Sequence, residues 1–387
     1  MGAKLFYGAL VYDSGSRSFL PRTVVSEDGI ITALLPVDAP LPTGERIDCT
    51  GQYLIPGLVD VHTHGRNGLD FTDITPETLD ELTLLYAKTG TTAVMATPAS
   101  APFADWLSTA TYIKDRVRSN PVGARLLGVH YEGRYLSMEK RGAHNPSLLT
   151  PPSVEELHEI LSLLKGIHVH FSVAPETDGC ETFVKEATQL GATVGIAHTN
   201  CTFEQAMTAV GWGAISFTHT FNAMTAISHR APGCTIAALL ADGAYAELIC
   251  DGLHSHPAMT AMLVRNKPRD RVVLITDSCL CTGLPKGRYF SAGLEVELAD
   301  GKCSALDGAL AGSTLTLLDA VKNCMRFTGL TLCEVLPFAT ENPARMAGAD
   351  ANVGSIAVGK SADLLLIDTP DDPSLQAVYC GGEVIPL

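Results

Sequence analysis

Eight short runs recur between residues 57 and 278, most of them apolar at the start and polar at the end: "GLVDVHTHG", "TTAVMATPAS", "ARLLGVHYEG", "GIHVHFSVAPE", "ATVGIAHTN", "AISFTHTFN", "AELICDGLH" and "RVVLITDS". Between them lie segments with helical spacing that end near glycine, such as "PETLDELTLLYAKTG", "SVEELHEILSLLKG" and "ETFVKEATQLGA". Alternation of this kind argues for repeated βα units and a parallel sheet. A count of eight predicts an α/β fold of the (β/α)8 barrel type. The competing doubly wound sheet is disfavoured because no glycine-rich dinucleotide fingerprint follows the first run. The chain has 387 residues, 46% of them apolar, enough for one large domain and a smaller one. Both ends read as short strands: "AKLFYGALVYD" and "RTVVSEDGIITALLP" at the start, "SIAVGKSADLLLID" and "LQAVYCGGEVIPL" at the finish. Neither end makes a domain alone. The expected division is a small sheet domain from residues 1–54 and 355–387, with a barrel over 55–354.

The polar ends of the runs carry the chemistry. Strand one ends in His62 and His64, strand three in His130 and Glu132, strand five in His198, strand six in His219, strand seven in His254 and strand eight in Asp277. Alternate residues of a strand face one side, so His62 and His64 point together. In a barrel the C-terminal strand ends share one mouth. Histidine with carboxylate suits Zn²⁺ or another borderline divalent ion. The candidates His62, His64, Glu132, His198, His219 and Asp277 exceed what one tetrahedral ion needs. Either two ions are held, with Glu132 as a bridge, or some of these residues act on substrate. A divalent ion lowers the pKa of water to about 7, and Asp277 is the carboxylate placed to take and pass on the proton. The "HVH" at His168 and His170 lies mid-strand and reads as structural. Cys279 and Cys281 follow Asp277 closely enough to offer metal ligands, but read first as small buried residues of the loop after strand eight, and His158 reads as helix surface.

A net charge of -15 argues against nucleic acid or an anionic membrane as partner; an anionic small substrate needs a local cationic cluster. The 11 cysteines include no CxxC pair, which fits free thiols in a reducing cytoplasm. The start "MGAKLFYGALVYDSG" lacks a secretory h-region, and Phe6 occupies the position where a myristoylation motif has Ser or Thr. No apolar run reaches membrane-spanning length.

"PGLVDVHTHG", "GVHYEGRYLS", "GAHNPSLL", "GIAHTN", "THTFNAMT", "HRAPG", "DGLHSHP", "ITDS" and "LAGSTLTLLDAV" together resemble the amidohydrolase superfamily, and within it the N-acetylglucosamine-6-phosphate deacetylases. "GAHNP" and "HTFNAMT" are the most specific of these. The resemblance implies a metal-dependent (β/α)8 barrel with a small β-sandwich built from both termini, a homodimer, and hydrolysis of N-acetylglucosamine 6-phosphate to glucosamine 6-phosphate and acetate. It implies a primary metal on Glu132, His198 and His219, with His62 and His64 offering a second site. The ions implied are Zn²⁺ first, then Fe²⁺, Mn²⁺ or Co²⁺, one or two per chain. Asp277 would be base and then acid, and His144 would polarise the acetyl carbonyl. Ala143, His144, Asn222, Ala223 and His254 would position substrate, and Arg230 would bind phosphate, reaching into the partner subunit's site. Two departures stand out. Glu132-Gly133-Arg134-Tyr135 replaces the family's Glu-Gly-Pro-Phe, and "SCLCTGLPKGRYF" follows strand eight. They put the sugar in question: Arg134 either touches an anionic group or makes a salt bridge within its loop. The alternatives are the N-acetylgalactosamine 6-phosphate epimer or another N-acyl amino sugar, a different amidohydrolase, or an inactive barrel scaffold. A cyclic-amide hydrolase or deaminase is disfavoured because strand four ends Ala174-Pro175-Glu176, without the lysine that many two-metal members carry there.

Overall fold

The computed structural model describes residues 2–118 and 123–387; Met1 and residues 119–122, which fall within the expected domain ranges, lie outside it. All eight runs form strands, and they pair in chain order into one parallel sheet. The strands are Leu58–Thr63, Thr91–Ala96, Arg125–Glu132, His168–Val173, Thr193–Ile196, Ser216–Phe217, Tyr245–Ile249 and Val272–Ile275. The last and first strands meet through loop hydrogen bonds. Asp277 N–H donates to the His62 carbonyl at 2.9 Å, and His64 N–H donates to the Ser278 carbonyl at 2.8 Å. This closes the barrel at the end where the polar residues sit.

Helices fill the expected intervals, and their starts are written locally. Thr75 and Thr202 each close a capping box in front of Pro76–Ala87 and Phe203–Trp212, satisfying backbone N–H groups that have no partner inside the helix. The helices bury their apolar faces against strands that are buried on both sides. Val59, Val61, Leu248, Val273 and Leu274 form one part of the core with Leu317, Val321, Val335 and Leu336; Trp106, Tyr131, Phe171 and Phe183 form another.

A nine-stranded sheet combines both ends of the chain. Its central pairing is Tyr53–Pro56 against Leu364–Ile367, antiparallel. Gly57 follows directly, its N–H on the Asp363 carbonyl at 2.9 Å, and the next residue begins the first barrel strand. The terminal sheet is thus tied to strand one, which carries His62 and His64. The eight-stranded barrel with a sandwich-like terminal domain is the architecture the strand count and the chain ends predict.

One element was not anticipated. Gly287–Ser291, Leu294–Ala299 and Lys302–Ala305 make a three-stranded antiparallel sheet after strand eight. Its two turns are Ala292-Gly293 and Asp300-Gly301, all four residues at positive φ, the geometry of tight two-residue hairpins. Asp-Gly before an alternating run was a readable signal for it.

Below the mouth, the barrel interior is polar. His130 Nε2 lies 2.8 Å from Ser172 Oγ, which lies 3.0 Å from Thr218 Oγ1. His170 Nδ1 bonds Thr193 Oγ1 at 2.8 Å, and His168 Nε2 lies 3.2 Å from the same oxygen. The "HVH" pair is therefore structural, and it lies at the start of its strand, His168–Val173, rather than mid-strand. Strand packing is close here: a Cβ on Gly128 would stand 2.1 Å from the His168 backbone oxygen. Gly128→Ala must push strands three and four apart, at a cost of about 1–3 kcal/mol. A lowered urea midpoint is the expected result; an unchanged midpoint would contradict this packing.

Candidate metal centre

Six side chains from four strand ends and the strand-eight loop converge at the mouth: His62, His64, Glu132 and Asp277 form one group, and Glu132, His198 and His219 a second. Glu132 belongs to both, and its two oxygens divide the site. Oε2 faces His62 Nε2 at 3.2 Å and His64 Nε2 at 3.0 Å. Oε1 faces His219 Nε2 at 2.8 Å and His198 Nε2 at 3.4 Å. Asp277 Oδ1 closes the first group, 3.1 Å from His64 Nε2 and 3.5 Å from His62 Nε2. His198, His219 and Asp277 all sit at positive φ, at 41°, 33° and 49°. This costs backbone energy, and such strain concentrates at functional sites.

The second layer determines what each imidazole presents. His62 Nδ1 lies 3.0 Å from a Glu247 carboxylate oxygen, His64 Nδ1 2.9 Å from the Thr97 carbonyl, and His198 Nδ1 2.8 Å from the Lys140 carbonyl. Each partner accepts, so each Nδ1 carries a proton, and a ring holding only that proton turns its Nε2 lone pair inward. Nitrogens so oriented are a metal-ligand arrangement. The Nε2 atoms of His198 and His219 approach to 3.0 Å; donors about 2.0 Å from one tetrahedral ion are about 3.3 Å apart. Glu132 Oε1 is buried without a hydrogen bond of its own.

The electrostatics agree. Burial alone would raise the Glu132 and Asp277 carboxyls, but the surrounding histidines hold Glu132 well below the usual range and Asp277 at about 2. The histidines respond in turn: burial opposes protonation, yet the two carboxylates drive His62 well above its ordinary value and His64 to about 10. Two buried negative charges call for compensating positive charge at one point. A divalent cation meets that need with every histidine neutral, and this donor set fits one.

The centre opens into a cavity of about 390 Å³ lined by His64, Glu132, His198, His219 and Asp277 and by Ala143, His144, Asn222, Ala223 and His254. His62 lies beneath it, with no exposed surface. His144 Nε2 stands 4.0 Å from Glu132 Oε2, and its Nδ1 is 2.9 Å from Ser100 Oγ. Ser100 Oγ accepts the Arg134 N–H at 3.2 Å; when its own hydrogen is donated to His144 Nδ1, the Nε2–H faces the cavity. Burial, with His198 adding to it, lowers His144 to about 3, so the ring is a neutral donor. His254 is held by Asp251 at 2.6 Å.

Two residues fall outside the cavity. Arg230 lies on the exposed stretch 226–231 and does not line it. Arg134 is occupied by Glu156, at 2.6 Å, and by the Ala101 carbonyl, at 3.2 Å; it makes a salt bridge, but to the helix Val154–Leu163 and not within its loop. Sequence reasoning missed Glu247 and Ser100. The signal for Glu247 was a lone carboxylate in the middle of an otherwise apolar strand.

A (β/α)8 barrel whose mouth gathers four histidines and two carboxylates is the scaffold of a metal-dependent hydrolase. The model described as "Amidohydrolase family" matches residues 53–386, and the chain belongs to that family. It is 34% identical over 342 residues to an N-acetylgalactosamine-6-phosphate deacetylase of Escherichia coli O157:H7, covering 88% of this chain and 89% of the relative. It is 32% identical over 361 residues to an N-acetylglucosamine-6-phosphate deacetylase of Vibrio furnissii, covering 93% and 90%. Among solved structures, N-acetylglucosamine-6-phosphate deacetylase from Pasteurella multocida superposes with a TM-score of 0.92 at 29% identity, covering 99% of each chain. A mutant of the Mycobacterium smegmatis enzyme, in complex with N-acetyl-D-glucosamine-6-phosphate, also reaches 0.92, at 27% identity and 100% coverage of each chain.

Glu247 orients His62, and such supporting carboxylates typically contribute about 10–100-fold to metal affinity. Glu247→Gln should weaken binding by that factor in a chelator-competition titration. Unchanged affinity would remove Glu247 from the support of the centre.

Proposed function

We propose that the protein hydrolyses the acetamide of N-acetylglucosamine 6-phosphate, yielding glucosamine 6-phosphate and acetate. The observation that carries this reading is Glu132, whose two oxygens face separate histidine groups, with Asp277 on one flank and His144 on the cavity side. A divalent ion on Glu132, His198 and His219, with a second on His62 and His64, would supply Lewis acidity and positive charge; Zn²⁺ is the first choice for this donor set.

The chain's own residues then have defined tasks. Asp277, held ionised, takes a proton from the attacking water and returns it to the departing amine. His144 donates its Nε2–H to the acetamide oxygen, where negative charge develops. Ala143, Asn222, Ala223 and His254 line the space for the sugar. Arg230, on its exposed segment, would bind the phosphate of substrate held by the other subunit of a homodimer, where a guanidinium matches a phosphate's geometry. The free thiols fit a cytoplasmic setting. Among the described residues no helix is long and apolar enough to cross a membrane. The galactosamine epimer is the second reading, favoured by the similarity to the Escherichia coli relative.

Asp277→Asn should fold and retain metal while kcat falls about 10²–10⁴-fold; near-normal turnover would exclude Asp277 as the proton carrier. Arg230→Ala should raise KM for the phosphorylated sugar about 10–100-fold, the usual worth of a hydrogen bond to a charged group, without changing that for unphosphorylated N-acetylglucosamine. Equal effects on both sugars would argue against a phosphate contact. Initial rates on the two epimeric phosphosugars decide the substrate: faster turnover of the galactosamine compound would overturn the first reading for the second.

A further inference from the structure

A second group of ligating side chains lies beside the metal centre and takes no part in it. Cys279 and Cys281 belong to the loop after strand eight, and Cys303 to the third strand of the inserted sheet. Their three sulfurs lie within 4.8 Å of one another. Three thiolates bound at about 2.3 Å to a common ion stand about 4 Å apart, so little movement is needed to close the site. All three residues are buried, at 3%, 0% and 1% exposure, in a small apolar cluster with Leu280, Val296 and Leu298. Hydrogen bonds among the three thiols draw Cys281 well below the ordinary thiol range, while Cys279 and Cys303 are pushed above it, as expected of sulfurs in mutual contact. No fourth His, Cys, Asp or Glu joins the group among the described residues.

We propose that Cys279, Cys281 and Cys303 form a three-sulfur site for one soft, thiophilic cation per chain, separate from the histidine–carboxylate centre. Thiolates select soft ions, and three donors favour Cu⁺ or Cd²⁺ over Zn²⁺, which takes four ligands in structural sites. The ion would have a mechanical consequence. Cys279 is two residues beyond Asp277, and the inserted sheet contributes Ser291, Ala292 and Val296 to the cavity wall. Binding would fasten that wall to the loop carrying Asp277.

Cadmium tests the site, because sulfur-to-cadmium charge transfer absorbs in the ultraviolet and the neighbouring centre contains no sulfur. Reduced full-length protein titrated with CdCl2 should develop this absorption and saturate at one equivalent per chain. Cys281→Ser and Cys303→Ser should abolish it; Cys49→Ser, which removes a cysteine of the terminal sheet, should leave it intact. No absorption, or absorption surviving in both site variants, overturns the proposal. Cadmium NMR on the unaltered protein covers the case in which the variants misfold: a resonance in the sulfur-rich range supports the site, and resonances only in the nitrogen and oxygen range refute it.

Discussion

The structure depends on how two buried carboxylates are tolerated at the mouth of a barrel. Glu132 and Asp277 are almost fully shielded from water, where an unpaired charge costs several kcal/mol or more. Histidines arriving from strands one, five and six surround them, and those of strands one and five are themselves fixed by Glu247, Thr97 and Lys140. The arrangement satisfies every charge only when positive charge occupies the middle. Left to protons, His62 and His64 rise far above their ordinary range; a divalent ion would do the same work and would also supply Lewis acidity there. The fold serves this centre by closing strand eight onto strand one at the level of Asp277 and His62.

Much of this was legible in the residues. Each of the eight runs is a strand because β-branched and aliphatic residues fill positions buried on both faces, as a parallel sheet surrounded by helices requires. The ligands were legible because each breaks an apolar run at its C-terminal end, where a barrel places its site. His168 and His170 have the same spacing as His62 and His64 but sit earlier in their strand, and the structure places them in the barrel's polar interior.

What stayed hidden has physical reasons. Glu247 sits mid-strand, and only the curvature of the closed barrel aims its carboxylate at His62. Ser100 acts through His144, and nothing in its local sequence distinguishes it from any loop serine. The role of Arg134 turned on a helix residue, Glu156, that spacing alone does not place beside it. The inserted sheet follows the eighth strand, after the alternation that defines the barrel has ended, so the βα pattern offered no slot for it. It is this sheet that brings Cys303 to Cys279 and Cys281, which a linear reading had left as small buried residues.

The central claim is that Glu132 links metal binding to amide hydrolysis. The most direct test is to measure metal per chain and acetate release from N-acetylglucosamine 6-phosphate on the same samples of native protein and Glu132→Gln. The account predicts that the substitution lowers metal content and acetate release together, and that chelation of the native protein abolishes turnover until a divalent ion is restored. Full activity in Glu132→Gln, or in native protein stripped of metal, would contradict it.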